Sequence, residues 1–190
     1  GCQENVTDPN MVEGAYTNGH TDAGWFNLAK PIELAMWNGV NPVTGRQVGP
    51  QTGDPRTFAT MDDFTAAVKQ QFEYAINQNT IVNNIIEYSF ARFHPTPAHN
   101  LLHPGPRRTG IDFNEGGAKY NWTGSIGVGL ATAGDIMSAV DTLIYRDQVT
   151  TWDELLDALA KNWEGCEDLH RKALAAPKYG ADNDYADGWA

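Results

Sequence analysis

Cysteine is nearly absent: Cys2 and Cys166 are the only two in 190 residues. Two such thiols cannot make a disulfide scaffold, and reduced cytosolic thiols are the expected state. No run approaches the roughly 18 consecutive apolar residues of a membrane-spanning helix. No basic segment followed by an apolar one marks a targeting signal, and the expectation of a cytoplasmic location rests on the reduced thiols. Positive charge is scarce as well. Thirteen Lys and Arg stand against 24 Asp and Glu, a formal net charge of -11. That balance argues against nucleic acid or an anionic membrane as a partner, either of which would want a basic face.

What remains is ordinary globular usage, 41% hydrophobic and 19% charged, long enough for one domain with its own core. No internal repeat or low-complexity block occurs. Residues 1 to 23 are rich in Gly, Asn, Thr and Asp without sustained periodicity, which predicts an irregular loop carrying Cys2, Glu4, His20 and Asp22. Trp25 to Trp37 reads as a helix ended by Asn38-Gly39, with Pro31 marking a kink or the first turn of a shorter helix. Val40 to Pro55 has loop chemistry. Met61, Phe64, Val68, Phe72 and Ile76 open a long helical stripe to residue 92, capped by Thr60 and Asp63 and interrupted by the polar run Asn77-Gln78-Asn79. Val128 to Tyr145 predicts a buried helix. Thr151 and Glu154 predict a capping box for one more, running through Trp163 towards Leu174 and stopped by Pro177. Strand signals are few, so periodicity by itself predicts a mostly helical chain.

Four motifs then follow in order: Gly1-Cys2-Gln3-Glu4, Gly49-Pro50-Gln51-Thr52-Gly53-Asp54, Gly116-Gly117-Ala118-Lys119-Tyr120-Asn121, and Pro177-Lys178-Tyr179-Gly180-Ala181-Asp182-Asn183-Asp184. Together they resemble the glycyl radical enzymes, the pyruvate formate-lyase-like superfamily, over nearly the whole chain. The resemblance implies an α/β fold, a helix-rich fragment of the ten-stranded glycyl radical enzyme barrel built from two antiparallel half-barrels. It also implies that residues 1–190 are a central-to-C-terminal part of the domain. The long N-terminal half and the Arg-Val-x-Gly-Tyr-type glycine loop of such enzymes are not in the sequence.

By the same resemblance, a glycyl radical on that missing loop is installed by a radical S-adenosylmethionine activating enzyme, and no cofactor is bound directly. Cys2 matches the residue that becomes a thiyl radical and takes hydrogen from a small-molecule substrate. Sulfur suits the task because it can return the hydrogen at the end. Glu4 matches the carboxylate base of the dehydratases and related lyases, whose basicity a desolvated barrel would raise. Asp22, five residues before Asn27-Leu28-Ala29, matches a substrate-contacting position, with His20 to assist it. The residue beside Cys2 is Gly1 rather than a second cysteine, which disfavours acetyl transfer. A radical lyase is expected: a dehydratase, a C–N or C–S lyase, or a decarboxylase. The rivals are radical addition of the alkyl- or benzylsuccinate synthase type, formate acetyltransferase, and a catalytically inert remnant. A homodimer is expected when complete.

One stretch departs from the family pattern, His94-Pro95-Thr96-Pro97-Ala98-His99-Asn100 followed by His103-Pro104-Gly105-Pro106-Arg107-Arg108. If it lines the pocket, His99 or Arg107 would meet an anionic substrate group. The interleaved prolines oppose a helical presentation of His94, His99 and His103, and no acidic or thiol partner accompanies them, so no metal is expected. Gly124 to Gly129 lacks a following Lys-Ser/Thr and is not a nucleotide loop. Cys166, on the face of a predicted helix after Gly165, reads as a small buried hydrophobe.

Overall fold

A computed structural model describes residues 17–190, with side chains from Gly24 onward. Strand β1 is Thr17–Asn27, followed by helix α1, Ala29–Met36. The irregular loop expected to residue 23 is therefore extended strand from Thr17 onward. Trp25 and Phe26 likewise belong to β1, not to a helix. Pro31 sits in the first turn of the shorter α1, where its missing N–H has no intrahelical partner to lose. Asn38 and Gly39 end that helix with φ of 50° and 81°. The expected loop from Val40 carries a small antiparallel ladder, β2 (Val40–Asn41) with β3 (Arg46–Gln47).

Helix α2 runs unbroken over Met61–Phe93. At its start Asp63 Oδ2 accepts from the Thr60 N–H at 2.9 Å, and Thr60 Oγ1 accepts from the Asp63 N–H at 3.3 Å, a capping box with Asp in the Glu position. The polar run at Asn77 does not break the helix. Two short helices follow, α3 (Pro97–Asn100) and α4 (Pro104–Thr109), each with proline at its first position. Prolines expected to oppose a helix begin one instead at Pro97 and Pro104, because φ near -65° is already helical there. Strand β4, Tyr120–Val128, is the largest element the sequence did not suggest, and it pairs with β1.

Helix α5, Leu130–Val140, continues as a π-helical turn over Asp141–Arg146. Helix α6, Trp152–Ala160, opens with the Thr151–Glu154 capping box in full. The single helix expected to Leu174 is two. Asn162, Trp163 and Gly165 all have positive φ, and α7 starts afresh at Glu167–Ala175. A short α8, Asp184–Asp187, is capped by the Asn183 side chain.

Contacts divide the described chain into two compact units. One holds β1 through Phe26 together with Asn77–Gly127; the other holds Asn27–Ile76 and Val128–Ala190. The division falls at Ile76/Asn77, where the apolar stripe of α2 meets the polar run. In the second unit α1, the first half of α2, α5 and α6 enclose a core of which Ile32, Phe64, Val68, Met137, Trp152 and Leu156 are central. The Phe64 and Trp152 rings lie 5.0 Å apart at 54°, a tilted geometry that adds to simple area burial. Trp152 Nε1 donates to Tyr145 Oη at 3.1 Å, which satisfies a buried indole.

In the same unit the Gly49 to Asp54 motif is held from below by Gln71, which is 1% exposed. Its Nε2 donates to Pro50 O at 2.8 Å and Thr52 Oγ1 at 3.0 Å. Asn38 Oδ1 accepts from the Gly53 N–H at 2.9 Å. The Pro177 to Asp184 motif is tied down as firmly: Ser138 Oγ donates to Pro177 O at 2.7 Å, and Asp135 Oδ1 accepts from the Tyr179 N–H at 2.8 Å.

Candidate functional site

Cys2 and Glu4 lie outside the described residues. His20 and Asp22 are placed on the backbone of β1, in the unit that also contains the second half of α2, helices α3 and α4, and β4 to Gly127. Two residues beyond Asp22, Gly24 lies against the ends of two polar side chains. A Cβ there would lie 2.6 Å from Asn79 Oδ1 and 3.3 Å from Ser125 Oγ. Asn79 and Asn83, one turn apart on α2, both donate to Ser125 Oγ, at 2.5 and 3.3 Å. The polar run suggested a helix break; in the fold Asn79 faces Gly24 and Ser125. These three polar residues carry no sequence signal beyond that interruption.

The His94 to Arg108 segment is organised by an aspartate that sequence reasoning passed over. Asp112 accepts from Asn100 Nδ2 at 2.7 Å, from the Thr96 N–H at 2.8 Å and from the Asn114 N–H at 2.9 Å. Partial burial works to raise its carboxyl, but the bonds from Asn100, Thr96 and Asn114 outweigh that and hold it below the ordinary aspartate range. Asn100 Oδ1 accepts in turn from the Phe113 N–H at 2.8 Å, and Asn114 Nδ2 donates to His94 O at 2.9 Å. His99 is exposed on α3. Its ring stacks on Phe113 at 4.5 Å and 15°, with His103 4.7 Å away. Desolvation first, and the neighbouring His99 second, lower the His103 pKa.

The second glycine of the Gly116-Gly117-Ala118-Lys119-Tyr120-Asn121 motif serves close approach, since a Cβ on Gly117 would overlap Ile111 O. The motif borders a cavity of about 340 Å³ lined by Asn84, Glu87 and Tyr88 of α2 and by Glu115, Asn121 and Trp122. Neither His99 nor Arg107 lines it. Among the described residues, no three His, Cys, Asp or Glu side chains gather as a metal-ligand set, and no helix is long and apolar enough to cross a membrane.

The model of the pyruvate formate lyase-like family matches residues 1–190, and the chain belongs to that family, the glycyl radical enzymes. It is 36% identical over 165 residues to trans-4-hydroxy-L-proline dehydratase of Clostridioides difficile, covering 86% of this chain and 21% of that protein. It is 34% identical over 171 residues to (2S)-3-sulfopropanediol dehydratase of Klebsiella oxytoca, covering 89% and 21%. The glycerol-bound B12-independent glycerol dehydratase of Clostridium butyricum superposes with a TM-score of 0.88 at 30% identity, over 92% of this chain and 22% of that one. The fold is that segment of the glycyl radical enzyme barrel. The chain spans about a fifth of the length of these relatives.

Proposed function

We propose that residues 1–190 form the part of a glycyl radical lyase that begins at its cysteine loop, and that the whole enzyme dehydrates a small hydroxylated substrate. The observation that carries this reading is the Cys2-x-Glu4 pairing, in a chain that is similar to several proteins named as dehydratases. A glycine-centred radical, held on another segment and installed by a radical S-adenosylmethionine activating enzyme, supplies the one-electron oxidation of Cys2.

Cys2 Sγ takes a hydrogen atom from a substrate carbon that bears a hydroxyl or an amine and lies next to the carbon carrying the leaving hydroxyl, forming S–H as the C–H bond breaks. Glu4 takes a proton from that first hydroxyl or amine. The electron density released expels the neighbouring hydroxide, which leaves as water with the proton from Glu4. The product radical then recovers its hydrogen atom from Cys2, and the net change is loss of one water. Asp22 contacts the substrate from β1, and His20 assists it. In this reading the protein is cytoplasmic and the whole enzyme is a homodimer.

The test uses the complete, activated enzyme with trans-4-hydroxy-L-proline, (2S)-3-sulfopropanediol and glycerol as probes. Turnover of at least one, lost in Cys2→Ser, is the expected result. Turnover that survives Cys2→Ser overturns the radical assignment. Addition of a substrate to an alkene acceptor, with no loss of water, points to the radical-addition reading.

A further inference from the structure

Stability gives no reason for an asparagine at position 83. Asn83 is 5% exposed and, among the described residues, its Oδ1 has no hydrogen-bond partner. A buried unpaired carbonyl costs about 1–3 kcal/mol, and an aliphatic side chain of similar size would avoid that cost. What Asn83 does supply is a directional bond. Together with Asn79 it places two successive turns of α2 on one hydroxyl of β4, at 3.3 and 2.5 Å. The β1 backbone at Gly24 lies directly against this cluster, since a Cβ there would lie 2.6 Å from Asn79 Oδ1. Apolar packing lets a strand slide along a helix, whereas hydrogen bonds fix distance and direction.

We infer that Asn79, Asn83 and Ser125 are positioning residues: they set the place of β1 at Gly24, and so of Asp22 two residues earlier on the same strand. The inference rests on the reading of Asp22 as a substrate contact. Gly24 is part of the device, because a Cβ there would displace the Asn79 carboxamide from its place against the strand. The cluster touches no reacting atom. It acts through Asp22, and its loss weakens substrate binding while the fold persists.

The complete enzyme carrying Asn83→Leu with Ser125→Ala tests this, because the pair replaces the cluster by apolar groups. Expected are a melting temperature within about 4 °C of wild type, and amide hydrogen exchange of residues 17–27 faster by about tenfold or more. KM should rise by about tenfold or more for whichever of the three probes wild type turns over best, with kcat changed less. Ser125→Thr, which keeps the hydroxyl, should restore both readouts. Unchanged β1 exchange and unchanged KM in the double variant overturn the inference. If the double variant does not fold, Asn79→Ala, at the half-buried edge of the cluster, is judged by the same two readouts. Asp22→Asn separates the two levels. If it alone impairs turnover, only the positioning role fails; if it is silent, the substrate role of Asp22 fails and the inference with it.

Discussion

Tyr185 donates its hydroxyl to Asp141 Oδ2 at 2.5 Å, joining α8 to the first residue of the π-helical turn. Asp141 is buried, and the Arg146 guanidinium lies 4.2 Å from the centre of the Tyr185 ring. A carboxylate that loses its phenol inside a packed interface is left short of a donor. Tyr185→Phe is expected to cost about 1–2 kcal/mol, read as a lower urea midpoint of the purified protein with an unchanged m-value.

Two glycines with positive φ should respond differently to alanine. Gly45 has φ of +67° and open space around a Cβ, so Gly45→Ala bears only the left-handed strain, about 1–2 kcal/mol. Gly39 has φ of +81°, and a Cβ there would overlap Pro50 O and Gln47 Nε2. Because one of those atoms is backbone, Gly39→Ala is expected to cost about 2 kcal/mol more than Gly45→Ala, measured in parallel thermal melts.

Removing the cap of α6 isolates a purely local contribution. Thr151 Oγ1 accepts from the Glu154 N–H at 3.3 Å, while Glu154 Oε2 accepts from the Thr151 N–H at 3.1 Å. Thr151→Ala should lower stability by about 1 kcal/mol and Thr151→Ser by much less. Equal losses in the two denaturation curves would rule out the cap as the cause.

Asp112 should contribute to the acid sensitivity of the fold. Its folded-state pKa lies below its unfolded value, so it adds stability that is fully present above the ordinary aspartate range and is lost as pH falls through the folded value. Asp112→Asn should therefore be less stable than wild type near neutrality. The gap should narrow as pH is lowered from about 5 towards 2, followed by circular dichroism melts across that range.

Glu4→Gln keeps the shape of the proposed base and removes its charge. In the complete enzyme kcat is expected to fall by about 10²–10⁴-fold, with hydrogen exchange between Cys2 and the substrate carbon preserved. Undiminished turnover in a coupled assay would favour the radical-addition chemistry, which needs no base at that position.

How far the sequence was legible depends on the range of the interaction. The caps at Thr60–Asp63 and Thr151–Glu154, the end of α1 at Asn38-Gly39 and the stop before Pro177 were all readable, because each closes within a few residues. Strand β4 was not. Its residues are mostly exposed or half-exposed in the fold, so no alternating apolar pattern marks it, and its partner β1 is far away in the chain. The break after α6 was also hidden, since Trp163 continued the apolar stripe while adopting φ of 68°.

The sequence by itself determined the family, through four motifs whose order survives without any coordinates, and with it the expected roles of Cys2, Glu4, His20 and Asp22. Only the tertiary structure decided that Asp112 ties the His94 to Arg108 segment into a knot with His99 stacked on Phe113. Only it brought Asn79, Asn83 and Ser125 together beneath Gly24. Local hydrogen bonds are written into neighbouring residues, but the partner of a polar side chain across a helix and a strand exists only once both elements have packed.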